Sequence, residues 1–274
     1  MSTSTPASSE IPASFQIPLQ AAEIYESAFV PAFFAQWAPI VCDAARIRPG
    51  RRVLDVACGT GIVARTAADL VDPGGEVTGV DANEAMLTVA RRVSPEVDFR
   101  CADAAALPFD DASFDAVTCQ MALMFFLDPR ACLAEMARVT APGGDIAVLV
   151  PAALTIQPAF APFVAMVAGH AGPEAVDLLS TYFRCGDLGD LRQLVDSAGL
   201  HVHAVAAPDG LYRAPSVDAF VTTEVESTPL RERISDDIYA RIRADAHDVL
   251  APFTGPNGAV TAPFTANLVA AQPR

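Results

Sequence analysis

An alternation of strand-like and helix-like segments between residues 51 and 150 constrains the fold of this chain more than any other feature. The runs that indicate buried strands are short and bounded by turns, and they cover residues 51–57, 76–81, 97–101, 114–120 and 145–150. Helical segments are predicted at 62–70, 83–93 and 129–139. Strands joined through helices form parallel βαβ units, and right-handed crossovers place helices on both faces of the sheet. The pattern predicts a doubly wound, mostly parallel α/β sheet.

The flanking segments predict further helices and two more strands. Apolar residues recur at helical spacing over 20–47, with Pro31 and Pro39 at helix starts or kinks. Strands are predicted at 200–206 and 262–271, which makes a seven-stranded sheet whose last strand runs antiparallel at the edge. Further helices are predicted at 160–170, 174–182, 188–198, 217–226 and 234–250. We divide the chain into a disordered tail (1–14), N-terminal helices (15–50), a core (51–150) and a C-terminal part with helical cap insertions (151–274).

Composition narrows the classes of partner. The chain has 274 residues and a formal charge of −15, and all 18 basic residues are arginine. This charge disfavours nucleic acid as a partner, and the lack of lysine excludes a lysine Schiff base.

The six cysteines stand apart, without CxxC and without histidine at zinc-ligand spacing, so we expect reduced thiols and no metal. The first ten residues do not resemble a signal peptide, and a cytoplasmic location is expected.

One uncharged stretch, residues 146–169, is long enough for a membrane-spanning helix. Pro151, Pro158 and Pro162 interrupt it, however, and its first part, IAVLV, follows the turn APGG as a buried strand would. We therefore expect no membrane partner.

A glycine turn follows the first predicted strand. Gly59, Thr60 and Gly61, with Ala64, match the loose G-x-G-x-x-G/A pattern of nucleotide-binding sheets. Glycine allows a tight turn and a close approach of a ligand to the helix N-terminus. A tight turn without a ligand would have the same pattern, so the glycines alone indicate little.

Three acids accompany this turn. Asp55 lies inside the first strand, Asp81 ends the second and Asp103 follows the third. An acid at the end of the second strand is placed to accept the hydroxyl protons of a ribose. A diphosphate would be repelled by Asp55 and would find no arginine or lysine in the turn, whereas S-adenosylmethionine (SAM) has no phosphate and carries an ammonium and a sulfonium. The acids therefore favour SAM over a dinucleotide.

Five motifs in order resemble the class I SAM-dependent methyltransferases, and most closely the small-molecule group that includes ubiquinone and menaquinone biosynthesis enzymes. These motifs are VLDVACGTG, GVDANEAML, CADAAALPFDDASFDAV, CQMALMFFLDP and MARVTAPGGDIAVLV. The resemblance covers residues 25–150 and departs from the common pattern at Ala57, where many members have glycine. It implies a methyltransferase with SAM as cofactor. The end of the fourth strand, CQMA, also differs from the motif of nucleic-acid amino-methylating enzymes.

The resemblance also implies roles for individual residues. Asp55 would hold the methionyl amine through the glycine turn, Asp81 would accept from the ribose and Asp103 from the adenine amino group. The residues expected to contact the cofactor are Tyr25, Asp55, Ala57, Gly59, Thr60, Gly61, Asp81, Ala82, Met86, Asp103, Ala104 and Gln120. Tyr25 lies in a segment that closes over SAM in many of these enzymes, although a core aromatic would fit its position equally well.

The acceptor side offers less information. Candidate bases are His170, Tyr182 and His247, and we take His170 and Tyr182 as the catalytic candidates. A helix C-cap is an equally simple role for His170. Phe125, Phe126, Phe163 and Phe183 are expected to line an apolar acceptor pocket. A small, apolar or aromatic acceptor is therefore expected. An NAD-linked oxidoreductase and a SAM-binding protein without catalysis stay open as alternative functions. A homodimer stays open as the oligomeric state.

Overall fold

The computed structural model describes residues 17–226 and 228–274, and within them the chain forms a sheet of eight strands. The order across the sheet is β3-β2-β1-β4-β5-β8-β6, and β7 pairs with β8 outside this path. Strands β1 to β5 are parallel to one another, and β8 is antiparallel to β5, β6 and β7. The strands are β1 (Arg52–Val56), β2 (Glu76–Asp81), β3 (Asp98–Cys101), β4 (Phe114–Gln120), β5 (Thr140–Pro151), β6 (Leu200–Ala206), β7 (Asp209–Ala214) and β8 (Val260–Pro273).

Helices cover both faces of the sheet, as the alternation predicts. The first group, on one face, comprises α2 (Ala38–Ala44), α3 (Ile62–Val71) and α4 (Glu84–Val93), and the opposite face carries α5 (Pro129–Val139) and α8 (Leu188–Ser197). A separate group of helices comprises α6 (Phe160–Ala171), α7 (Glu174–Leu179), α9 (Val217–Glu226), α10 (Leu230–Arg233) and α11 (Asp236–Leu250). We call these five helices and β7 the cap. The cap shares its apolar core with the first group. The mostly parallel doubly wound α/β fold is therefore confirmed.

Two predictions about the sheet are wrong. The last strand runs antiparallel as expected, but it lies between β5 and β6, and β6 forms the edge. Residues 266–271 of β8 are all buried, which suits a strand paired on both sides. The prediction also missed β7 (DGLYRA), whose glycine and charges hide a strand pattern. Strand β8 is 14 residues long, so its first half can pair with β7.

The N-terminal segment contains an unusual turn. The short helix α1 (Leu19–Ile24) continues into a π-helical segment, Tyr25–Phe34, which contains Pro31. Wide π-helical turns are rare and occur often at functional sites. Pro39 lies in the first turn of α2, where a proline costs no hydrogen bond. The predicted tail, 1–14, lies outside the described residues.

Several boundaries in the C-terminal part differ from those predicted. Helix α7 ends at Leu179 rather than at residue 182, and α11 begins after Ser235, whose hydroxyl accepts from the Ile238 N–H at 3.3 Å. The uncharged stretch 146–169 divides among the end of β5, a connecting segment and most of α6. None of the helices in the described ranges has the length and apolarity needed to cross a membrane.

Candidate functional site

The glycine turn joins β1 to α3 through backbone conformations that glycine favours. Gly59 has φ +56° and Gly61, the N-cap of α3, has φ +88°. A Cβ on Gly61 would lie 2.8 Å from Cζ of Phe99, so this glycine lets β3 pack beneath the turn. At Gly59 the nearest atoms to such a Cβ belong to Tyr25, 3.9 Å away. Gly59 thus lies next to the ring of Tyr25.

Asp81 at the end of β2 binds this turn directly. One carboxylate oxygen accepts from the Gly59 N–H and the other from the Asn83 N–H, each at 2.8 Å. Burial raises the pKa of Asp81, although these N–H groups act in the opposite direction. Because each carboxylate oxygen has two lone pairs, Asp81 can accept further hydrogen bonds from a diol beside the turn.

Asp55 lies beneath the glycine turn, and its side chain is 1% exposed. It accepts from the Thr118 hydroxyl at 2.9 Å and from the Ala64 N–H at 3.1 Å. Burial raises the pKa of Asp55 to about 7. The Asp55 carboxylate therefore holds the first turn of α3 in place from beneath the glycine turn.

Two buried polar atoms near the turn have no hydrogen-bond partner among the described residues. Gln120 donates from Nε2 to the Phe34 carbonyl at 3.2 Å, but its buried Oε1 has no donor. The buried hydroxyl of Thr60, in the glycine turn itself, is likewise unpaired. An unsatisfied buried polar group costs roughly 1–3 kcal/mol, so both positions favour a polar ligand that would pair with them.

The π-helical segment closes over the turn through Tyr25. The Tyr25 ring lies 4.9 Å from that of Phe34, and an ion pair of 2.9 Å between Glu26 and Arg65 holds the segment on α3. Burial and then the Asp81 carboxylate raise the pKa of Tyr25 well above its usual range. Tyr25 therefore stays a neutral phenol beside the carboxylate.

The side chains expected near an adenine lie at the ends of β2 and β3. Ala82, Met86 and Ala104 are half-buried. Asn83 caps α4, as the sequence predicts, by accepting from the N–H groups of Ala85 and Met86. Asp103 is also half-buried, and it accepts from the Ala105 N–H at 2.9 Å. Its carboxylate therefore stabilises the loop that presents Ala104.

The aromatic residues expected at the acceptor site separate into two groups. Phe125 and Tyr182 form an edge-to-face pair with centroids 5.5 Å apart, and both are half-buried, as is Phe126. Phe163 and Phe183 lie deeper. Phe163 is 1% exposed and packs on Phe220, so its expected position on a pocket wall is corrected to the core.

The described contacts of His170 do not support a catalytic role. Its Nε2 lies 2.7 Å from Oδ2 of Asp245, which joins the end of α6 to α11. The histidine therefore connects two cap helices. His247, on the same helix as Asp245, is exposed and lies 4.0 Å from Asp218.

The sequence analysis missed a buried carboxyl in the cap. Glu224 accepts a hydrogen bond of 2.8 Å from the Tyr212 hydroxyl, and burial raises its pKa to about 7. The available signal was the helical spacing of Val217, Phe220 and Val221 with Glu224, which places the glutamate on the apolar face of α9.

The strand order and the carboxylate beside a glycine turn agree with the resemblance to class I SAM-dependent methyltransferases. Residues 54–148 match the family described as "Methyltransferase domain". The chain therefore contains this domain, and it resembles the enzymes of ubiquinone and menaquinone biosynthesis.

Curated relatives support the same resemblance over part of their length. A demethylmenaquinone methyltransferase of Renibacterium salmoninarum is 45% identical over 128 residues, which are 47% of this chain and 51% of the relative. The enzyme of the same name from Beutenbergia cavernae is 38% identical over 161 residues, or 54% of this chain and 64% of the relative. The chain thus spans about half to two thirds of the length of these relatives.

Solved structures extend the likeness in fold beyond the matched domain. The BH2331 protein of Bacillus halodurans has a TM-score of 0.60 at 20% identity and covers 86% of this chain and 99% of its own. A Haemonchus contortus N-methyltransferase, in complex with phosphomonomethylethanolamine and S-adenosylhomocysteine, has a TM-score of 0.56 at 19% identity. The match covers 93% of this chain and 58% of the other. At these identities the likeness concerns the fold alone.

Proposed function

We propose that this protein is a methyltransferase that uses SAM to methylate a small, uncharged, apolar or aromatic acceptor. The observation that carries the proposal is the hydrogen bond from the Gly59 N–H to Asp81. It holds a carboxylate, which suits a ribose diol, directly beside a glycine turn that a ligand can approach closely. The methyltransferase domain match over residues 54–148 supports the same activity.

The polar atoms around the turn fit the amino-acid end of SAM. The unpaired Oε1 of Gln120 can accept from an ammonium, and the unpaired Thr60 hydroxyl can donate to a carboxylate. The remaining expected cofactor contacts, from Ala57, Ala82, Met86, Asp103 and Ala104, are part of this proposal. A dinucleotide is less suitable because Asp81 and Asp55 would repel its diphosphate.

The residues of the chain contribute mainly by positioning. Bound SAM supplies an electrophilic methyl group for an in-line displacement. Tyr25 covers the turn and excludes water, and its ring face can stabilise a nearby sulfonium. Phe125, Phe126 and Tyr182 provide an apolar surface that can hold the acceptor close to the methyl carbon.

The acceptor class rests on this apolar surface and on the names of the relatives. Those names specify demethylmenaquinone methyltransferases, but the matched region ends before most of the cap begins. Tyr182, on the proposed acceptor surface, lies outside the matched domain. A cytoplasmic location, a homodimer and the four-part division of the chain belong to the same proposal.

Isothermal titration with SAM and with S-adenosylhomocysteine tests the proposal. We expect saturable binding of both, and we expect Asp81→Ala to weaken it by at least 30-fold because the ribose acceptor is lost. Asp98→Ala is a matched control, since Asp98 is exposed at the start of β3 and pairs with Arg100. Flat titrations of the folded wild type, or tighter binding of NADH than of SAM, would overturn the proposal.

A further inference from the structure

The segment that covers the glycine turn carries a carboxylate with one buried, unpaired oxygen. Glu26 follows Tyr25 in the π-helical segment, and its Oε1 accepts from Nη2 of Arg65 at 2.9 Å. Its Oε2 is buried, and no group in residues 17–226 and 228–274 donates to it. Such an oxygen is costly, because burial removes the water that would otherwise donate to it. Glu26 can therefore accept from one further donor.

Arg65 holds this carboxylate at the glycine turn. Arg65 lies in the first turn of α3, and its Nη1 donates to the Thr60 carbonyl at 3.2 Å while its Nη2 donates to Glu26. The side chains of Arg65 and Glu26 are 22% and 19% exposed, so the pair is largely shielded from solvent. Salt screens a shielded ion pair less than an exposed one. The ion pair therefore keeps the Glu26 carboxylate close to Thr60.

The charge of Glu26 also reaches the phenol that covers the turn. Burial, then the Asp81 carboxylate and then Glu26 raise the pKa of Tyr25. The Tyr25 hydroxyl oxygen lies 3.9 Å from the position that a Cβ on Gly59 would occupy. Glu26 therefore lies in the same small region as the glycine turn and the Tyr25 ring.

Thr60 adds a second unpaired polar group to this region. The residue is 1% exposed, and its hydroxyl has no hydrogen-bond partner within the described ranges. A carboxylate oxygen without a donor suits a positively charged group, and a free hydroxyl can donate to a negatively charged one. The amino-acid end of SAM carries an ammonium and a carboxylate on one carbon. The two unpaired groups together therefore fit this end of the cofactor.

The neighbouring helix α1 contains a second glutamate–arginine pair that differs in this respect. Glu23 pairs with Arg92 of α4 at 2.9 Å, and their side chains are 45% and 56% exposed. The buried unpaired side-chain atoms of the described residues do not include either oxygen of Glu23. Both pairs attach the N-terminal segment to the helices beside the sheet, but Glu26 alone of the two glutamates has an oxygen left for a ligand. Glu23 therefore serves as an internal control for the attachment itself.

We propose that Glu26 is a specificity residue for the cofactor, whose Oε2 accepts a hydrogen bond from the ammonium of the amino-acid end. This inference rests on the proposed methyltransferase function. An ammonium has three N–H donors, so Glu26 and the Oε1 of Gln120 can accept from it together. A hydrogen bond between two charged groups is stronger than one from the same ammonium to a neutral amide. Glu26 thus favours adenosyl ligands with a free ammonium over those without one.

Three ligands that differ only at the amino-acid end test the assignment. S-adenosylhomocysteine carries both charges, 5′-(3-aminopropylthio)adenosine carries the ammonium alone, and 4-(5′-adenosylthio)butanoate carries the carboxylate alone. All three are thioethers, so a sulfonium contributes to none of them. Isothermal titration measures the Kd of each. We expect the wild type to bind S-adenosylhomocysteine about 30-fold more tightly than the butanoate, because the butanoate leaves the Glu26 oxygen unpaired.

Glu26→Gln is the informative variant. The amide can still accept from Arg65, but it has no charge and places an N–H donor where Oε2 would accept. The affinities for S-adenosylhomocysteine and for the aminopropyl ligand should fall about tenfold, whereas the affinity for the butanoate should stay within about twofold. Glu26→Asp keeps the charge on a shorter side chain, and it should weaken the same two ligands by about threefold. Thermal unfolding of each variant shows whether it is folded.

A control variant separates recognition of the ammonium from attachment of the segment. Glu23→Gln removes the exposed ion pair and should leave all three affinities within about twofold of wild type. Equal weakening of all three ligands in Glu26→Gln and Glu26→Asp would mean that Glu26 only holds the segment on α3. Unchanged affinities would mean that a water molecule satisfies Oε2. Either result would overturn the assignment while the proposed function stands, whereas absence of S-adenosylhomocysteine binding in the wild type would overturn both.

Discussion

The carboxyl ends of the parallel strands and the cap hold their polar groups in different ways. At the strand ends, the carboxylates accept from backbone N–H groups, as Asp81 does from Gly59 and Asn83 and Asp55 does from Ala64. In the cap, polar side chains pair with each other, as in Tyr212 with Glu224. Backbone donors are positioned by the local turn, whereas side-chain pairs depend on how distant elements pack. Under the proposed function, the first region holds the cofactor and the second lies on the acceptor side.

The largest expected effect tests whether Phe163 belongs to the cap core. Phe163→Ala should lower the free energy of unfolding by about 3–5 kcal/mol, because a fully enclosed ring leaves a cavity. Leu127→Ala is the control, because Leu127 is 83% exposed, and it should change the free energy of unfolding by less than about 0.5 kcal/mol. Chemical denaturation measures both. Near wild-type stability together with a higher acceptor KM would return Phe163 to the pocket wall.

A smaller effect is expected at the glycine turn. Gly61→Ala combines a left-handed conformation with a contact of 2.8 Å to Phe99, so we expect a loss of about 3 kcal/mol in unfolding free energy. Gly258→Ala provides the comparison, because Gly258 also has positive φ but has no atom within 4 Å of the added Cβ. It should cost about 1 kcal/mol. Equal losses in the two variants would show that Phe99 does not constrain the turn.

The last of these effects, which develops only as pH rises, concerns the pH dependence of stability. Burial raises the pKa of Glu224 from 4.5 to about 7, so the folded state holds a proton that the unfolded state releases, and stability falls as pH rises between these values. Glu224→Gln lacks this loss. Its stability relative to wild type should rise by up to about 3 kcal/mol from pH 4.5 to pH 8. A flat difference for Glu224→Gln would mean that the carboxyl is not buried.

The contrast between the regions also explains what the sequence could predict. The bounds of β2, β4 and α5, the Asn83 cap and the glycine turn depend on local periodicity and turn chemistry, and these predictions are confirmed. The position of β8 and the existence of β7 depend on pairing between distant segments, which periodicity does not encode. The cap contacts of His170 and Glu224 depend on helix packing in the same way. The assignment of cofactor and acceptor contacts to individual residues stays a prediction.

Assigned amide spectra of the protein titrated with S-adenosylhomocysteine test the central claim most directly. The account predicts saturable shifts at Gly59, Gly61 and Asn83 and in the side-chain amide of Gln120, with little change at Gly143 and Gly144 at the amino end of β5. Absence of saturable shifts, or shifts confined to the amino end of β5, would contradict it.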